Sequence, residues 1–330
     1  MSYHKTRAFH NSTLIVLILC IMTLSLIAGL KCDYCRKEIN GKYLSTEGKS
    51  YHDECYREHI QTRCDYCKKP IEGRYNVFEN KSYHEDCYTN HIVPRCDICD
   101  APLDGKYVVD FWGTNFHKTH SDELPECSSC SRLISEKTTD GGYRLGDGRT
   151  LCGICNRTAV IDEFIIESSL NQVKRLLASN GINDLPSEIP ISIVAKDKLK
   201  QISPIYSENM KGFTDQNAQS INGKIISRES HIYILSHLPR INFESVLAHE
   251  LMHVYLFEND LDLRSDIREG FCNLGSEMVY EDDNSQYSQF MLQSMKESPD
   301  PDYGEGYRKM SKILYRKGWR YVLEELEHIK

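Results

Sequence analysis

Hydrophobic positions in this chain change their pattern along its length. From Thr13 to Leu30 the run is apolar, broken only by Thr23, Ser25 and Gly29 and preceded by Lys5 and Arg7. A helix over these residues spans about 27 Å, near the hydrocarbon thickness of a bilayer, yet the run is only slightly longer than a signal-peptide apolar region. Residues 1–30 therefore predict a cleaved export signal or a retained membrane anchor, with membrane association through residues 13–30. The basic residues ahead of the run orient residues 31–330 outside the cytoplasm, secreted or membrane-anchored.

The pattern turns helical after Cys155. Val160, Ile161, Phe164, Ile165, Leu170, Val173, Leu176 and Leu177 predict a helix over 160–179 that ends near Gly181. Ile189 to Val194, Lys224 to Ser227 and His231 to Leu235 read as strands, and 243–257 and 305–328 as helices. This half is predicted to be α+β, with a small mixed sheet.

A length of 330 residues suits two domains, and 40% hydrophobic with 27% charged residues is the balance of a soluble globular chain. A formal net charge of −8 gives no basic footprint, so nucleic acid is not an expected partner. The cysteines change the picture more. Of 14, all but Cys20 and Cys272 lie between Cys32 and Cys155.

They recur at a fixed interval: Cys32-x2-Cys35, Cys64-x2-Cys67 and Cys96-x2-Cys99, each 32 residues after the last. Gly41-Lys-Tyr43, Gly73-Arg-Tyr75 and Gly105-Lys-Tyr107 keep the same register. So do the second pairs His52-x2-Cys55, His84-x2-Cys87 and His117-x2-His120, and Cys127-x2-Cys130 with Cys152-x2-Cys155 closes the array. Disulfides have no use for a histidine at a fixed place in each unit, whereas tetrahedral zinc accepts thiolate and imidazole alike. The spacing predicts four structural zinc sites. Tyr34, Tyr43, Tyr51, Tyr66, Tyr75 and Tyr83 recur with the ligands and are expected to fill the small cores.

Paired sites of this kind resemble LIM domains, which are protein-binding modules built of short β-hairpins. The match is closest over 91–157, with 31–90 as a divergent pair. A usual LIM domain has two residues between its zinc units; here Cys55 to Cys64 leaves eight and His120 to Cys127 leaves six.

The second concentration of chemistry is Ala248-His249-Glu250-Leu251-Met252-His253. On a helix His249 and His253 share a face and can reach one ion, with Glu250 beside them as general base. A catalytic zinc commonly takes three protein ligands and a water. Glu269 is the preferred third, because Gly270, Phe271 and Cys272 begin an apolar stretch; Glu258, Asp262 and Asp266 are rivals. An oxyanion donor is also needed, and Tyr303, Tyr307, Arg308, His231 and His237 all remain open.

The combination resembles the LIM-domain zinc peptidases that restrain organ and seed size in plants, and their bacterial relatives. The resemblance rests on Cys96-Asp-Ile-Cys99, Asp147-Gly-Arg-Thr-Leu-Cys152 with Cys155, Leu238-Pro-Arg240, the His249 motif, Glu269-Gly-x-Cys272 and Tyr303-Gly-Glu-Gly-Tyr-Arg308. It implies LIM-type fingers followed by a gluzincin-like metallopeptidase domain over 158–330. His249, His253 and Glu269 become zinc ligands, Glu250 the base, and the activity an endopeptidase on selected proteins. His117 and His120 stand where the family has a Cys/His pair. The plant members carry ubiquitin-interacting helices near the N-terminus; the apolar segment stands there here, so activation by ubiquitin is not expected. The resemblance also implies five zinc ions, protein substrates and a LIM-bound protein partner. The competing expectation is a LIM scaffold with an inactive peptidase-like domain.

Overall fold

A computed structural model describes residues 5–8, 12–15, 30–222 and 224–329. Most of the apolar N-terminal run, residues 16–29, lies outside the described residues, and the expected signal or anchor with it. Among the described residues no helix is long and apolar enough to cross a membrane. Short strands Lys5–Ala8 and Ser12–Ile15 pair antiparallel with Lys106–Val109 and Arg74–Phe78. The chain divides into two units, His4–Asp122 and Glu123–Lys330.

The first unit holds three copies of one small device. Each Cys-x2-Cys pair closes a knuckle: the N–H groups of Arg36, Lys68 and Asp100 donate to the carbonyls of Cys32, Cys64 and Cys96 at 2.8, 2.7 and 2.8 Å. The aspartate after the first cysteine ties this knuckle to the hairpin. Asp33, Asp65 and Asp97 accept from the backbone N–H of Ser50, Ser82 and Asn115 at 2.7, 2.8 and 2.6 Å. Gly41, Gly73 and Gly105 have φ of 109°, 87° and 93°, a region in which only glycine avoids Cβ strain. The repeat therefore keeps its aspartate and glycine for backbone reasons.

Two of the second ligand pairs sit at the start of a short helix, Asp53–His59 and Glu85–His91. Tyr51, Tyr75 and Tyr83 are buried as expected, together with Tyr56 and Tyr88. Tyr34 and Tyr66 depart from the expectation. They are 48% and 49% exposed and stack on His59 and His91.

The second unit begins with the fourth cysteine site, whose knuckle is closed by Ser131 N–H on the Cys127 carbonyl at 2.9 Å. This site is tied into the remainder of the unit. Strand β1 (Ala159–Val160) pairs with β5 (Leu238–Pro239). The Arg149 guanidinium, paired with Asp147, also donates to the Ser236 carbonyl at 2.9 Å, and the hydroxyls of Ser129 and Tyr287 are 2.8 Å apart.

Helix α1 (Glu163–Ser179) starts three residues later than its hydrophobic spacing predicts, because Val160 is in β1 and the Asp162 carboxylate caps the helix on Phe164 N–H. Strand β2 (Ile191–Val194) runs parallel to β4 (Lys224–Leu235), which pairs antiparallel with β3 (Gly212–Ile221), giving the order β2-β4-β3. Helix α2 (Lys196–Ile202) connects β2 to this hairpin. The two strands expected over 224–227 and 231–235 are one. Strand β3 had no hydrophobic signal, since Asp215 and residues 217–221 are polar or exposed and its pairing supplies the order.

Helix α3 (Arg240–Glu258) is buried on every side from Asn242 to Tyr255 apart from isolated positions, so it is a core helix without a polar face. Helix α4 (Ser265–Asp283) lies against it at close range. A Cβ added at Gly275 would be 2.8 Å from Met252 Cγ and 3.0 Å from the Ala248 carbonyl oxygen. Helix α5 (Gln286–Glu297), which its spacing did not announce, a π-helical turn at Pro301–Gly306, and α6 (Tyr307–Glu325) complete the unit. The turn sits on α4 because Gly270 has no side chain: a Cβ there would be 2.4 Å from the Gly306 carbonyl.

Candidate metal centres

The structure brings together all four cysteine and histidine quartets expected in the array, and the described cysteines are free thiols. In the first three sites the imidazole Nδ1 faces the thiols: 3.3 Å from His52 to Cys35, 3.4 Å from His84 to Cys67 and 3.5 Å from His117 to Cys99. The other ring nitrogen meets a backbone carbonyl, of Glu38, Pro70 and Pro102, at 3.0 to 3.1 Å. That contact fixes the tautomer with Nδ1 free for a metal. In the fourth site Cys130 and Cys152 sulfurs are 3.8 Å apart, the separation expected of two thiolates on one tetrahedral ion with bonds of about 2.3 Å. Burial pushes the Cys32, Cys64 and Cys96 thiols up, yet hydrogen bonds from the knuckle backbone outweigh it and bring them down to about 6, which favours the thiolate a metal needs.

The fifth cluster is made by α3 and α4. His249 Nε2 and His253 Nε2 are 3.2 Å apart, and Glu269 Oε2 lies 3.4 and 3.5 Å from them. Three donors on one tetrahedral zinc with bonds of about 2.0–2.1 Å stand roughly 3.3–3.4 Å apart, so the triangle has the size of a zinc site. Glu269 Oε2 is buried and has no hydrogen-bond partner, an arrangement costly without a cation. Burial works against the charge on both partners. The histidines nevertheless hold the Glu269 carboxyl far below its usual range, and the neighbouring carboxylates raise His249.

One turn of α4 supplies more than the carboxylate. Asn273 Oδ1 is 3.0 Å from His249 Nδ1, and Cys272 Sγ is 3.4 Å from His253 Nδ1. Each contact occupies the ring nitrogen that faces away from the triangle, which leaves both Nε2 atoms to converge. Asn273 is itself held through its amide by the Tyr303 carbonyl at 2.9 Å. The Cys272 thiol is pushed up by its burial and then by Glu269 and Glu250, and its sulfur lies close enough to His249 and His253 to share an ion with them. Residues three and four positions after Glu269 share its helix face, so this pair was readable once α4 was assigned.

The rival carboxylates are elsewhere. Asp262 is exposed, Asp266 is paired with Arg264 and Lys309, and Glu258 lines a separate pocket with Asp184 and Arg228. Glu250 is 4% exposed, and Thr214 Oγ1 donates to its Oε2 at 2.6 Å.

Of the five expected oxyanion donors, four are engaged structurally. Tyr307 donates to Glu277, Arg308 to the Lys296 and Ser298 carbonyls, His231 contacts Ser192 and Tyr233, and His237 contacts Ser236. Tyr303 remains. Its ring stacks beside His249 with centroids 6.0 Å apart, and burial, then Glu269 and Glu250, push its phenol up.

Known proteins share the segment that builds this cluster. A family model described as DA1-like, Protein DA1, matches residues 200–286, the stretch that carries Thr214, His249, Glu250, His253, Glu269 and Asn273. This segment is DA1-like. Protein DA1 of Arabidopsis thaliana is 24% identical across 66% of this chain and 51% of its own length. Protein DA1-related 6 of the same plant is 28% identical across 50% of this chain and 30% of its own length. LIM domain-containing protein HDR3 of Oryza sativa subsp. japonica is 26% identical across 50% of this chain and 38% of its own length. The chain spans about half the length, or less, of the curated relatives it matches. These similarities and the four quartets support a LIM-type zinc-binding protein, similar to the DA1-like family over residues 200–286.

Proposed function

We propose that this DA1-like chain is a zinc-dependent endopeptidase that cleaves selected proteins, with its LIM-type fingers serving protein–protein recognition. The observation that carries the reading is the triangle of His249, His253 and Glu269 closing on a buried carboxylate oxygen with no other partner. A zinc ion held there supplies Lewis acidity to a scissile carbonyl and lowers the pKa of nearby water.

The chain's own residues do the rest. Glu250 takes a proton from the attacking water as the new carbon–oxygen bond forms, and returns it to the amine as the carbon–nitrogen bond breaks. Tyr303, beside His249, donates a hydrogen bond to the oxygen on which negative charge develops. The finger sites have four protein ligands each and so leave no position for substrate, which supports a structural role for them. The apolar run ahead of the fingers supports a location for residues 31–330 outside the cytoplasm.

Elemental analysis of protein purified without chelator should return five zinc ions per chain, one for each cluster. Glu269→Gln should lose one ion and keep the finger ions. Glu250→Gln should keep every ion while a chelator-sensitive cleavage rate falls about 10²-fold to 10⁴-fold. Unchanged cleavage by Glu250→Gln would falsify the peptidase reading, and absence of cleavage by the unaltered chain on a broad protein panel would favour a LIM scaffold.

A further inference from the structure

Strand β3 meets the histidine helix through alternate residues. Gly212, Thr214 and Gln216 point to one face, as the two-residue period of a strand requires. All three touch the His249-to-His253 turn of α3. A Cβ at Gly212 would lie 2.4 Å from Glu250 Oε1 and 2.7 Å from Val246 Cγ1, so the Oε1 side of the carboxylate occupies space that only glycine leaves. Thr214 Oγ1 donates to Glu250 Oε2 at 2.6 Å. Gln216 Nε2 donates to the His253 carbonyl at 2.9 Å.

From this we infer that Thr214 is a positioning residue for Glu250, with Gly212 providing the room in which the carboxylate is held; the inference rests on the peptidase reading above. A carboxyl group on a flexible stem has several rotamers, and a general base must keep one. The Thr214 hydroxyl tethers one oxygen at the short distance of a charge-assisted O–H···O⁻ bond, about 2.5–2.7 Å, and leaves the other to exchange the proton. A hydroxyl suits this better than a backbone N–H. It donates to the ionised carboxylate and can accept from the protonated acid, so the tether persists through both proton transfers.

Four variants of the full chain test it. Thr214→Val keeps the side-chain shape and removes the hydroxyl; kcat should fall roughly 10-fold to 100-fold, the usual weight of a hydrogen bond to a charged group, with KM, zinc content and melting temperature nearly unchanged. Thr214→Ser should restore most of the rate. Gly212→Ala should lose rate to an extent comparable with Glu250→Gln, because the methyl group displaces the carboxylate. The double variant Thr214→Val with Glu250→Gln decides whether Thr214 acts through Glu250: its rate should equal that of Glu250→Gln alone. Additive losses, or a Thr214→Val rate equal to the unaltered chain while Glu250→Gln is inactive, would overturn the positioning role and leave the peptidase reading standing. If Glu250→Gln keeps full activity, both readings fall.

Discussion

Each finger of the first unit surrounds one point with four ligands and has little else inside. The first buries Tyr51 and Tyr56, the second Ile71, Tyr75, Tyr83, Tyr88 and Val93. The second unit reverses the proportion. Its core runs from Val160 through the two long helices to Leu326, and its histidine and glutamate cluster brings three ligand atoms together inside that core. In the fingers, metal substitutes for an apolar core too small to fold alone. In the helical unit the core comes first, and its packing energy offsets the several kcal/mol that burying each unpaired charge would cost. A closed shell and an open one thus differ in what stabilises them. The first needs its ion to fold; the second is folded by its own core, and on the proposed reading its ion would serve the reaction alone.

The fourth cysteine site breaks this division, since it has a closed finger shell but belongs to the helical unit. The largest expected effect sharpens that point. A structural zinc contributes folding energy on the order of 10 kcal/mol. Cys152→Ala should therefore release one ion and unfold or strongly destabilise Glu123–Lys330, whereas Cys64→Ala should disorder only the second finger. Calorimetry with zinc analysis checks both; equal melting of the second unit in the two variants would sink the distinction.

Next in size is a test of the open site. Asn273→Ala removes the contact that turns His249 toward the triangle, and loss of such a supporting partner typically weakens metal affinity by about 10-fold to 100-fold. Competition with a chelator should show one weakened ion and four unaffected. Were all ions held equally tightly, the Asn273 contact would have no bearing on the metal.

The smallest effect concerns the attachment of the fourth site. Tyr287→Phe removes the hydroxyl that meets Ser129, a change of about 1 kcal/mol in the stability of the second unit. A denaturant midpoint unmoved by the change would show that β1 and Arg149 carry the attachment without it.

Much of this architecture was legible in the chain itself. The quartets could be read because each ligand pair is separated by two residues and the unit repeats at a fixed interval, so a knuckle forms from local backbone geometry alone. The alignment of His249 and His253 follows equally from the 3.6-residue period of a helix. Strand β3 and helix α5 could not be read. Polar residues along β3 carry no alternating signal, and its order comes from pairing with β4.

Side-chain partners drawn from different elements were decided only in three dimensions. Four carboxylates lay within reach of the histidines along the chain, and Glu269 alone meets them, because Gly275 and Ala248 allow α3 and α4 to approach closely. Five donors were open, and Tyr303 is left beside His249 because Gly270 lets the turn at Pro301–Gly306 settle on α4. Thr214 carried no signal at all, since its contact with Glu250 spans 36 positions and depends on the register of a sheet against a helix. Spacing along a chain fixes which side chains share a face of one element; which element that face meets is set by steric fit between elements, and here glycines make that fit.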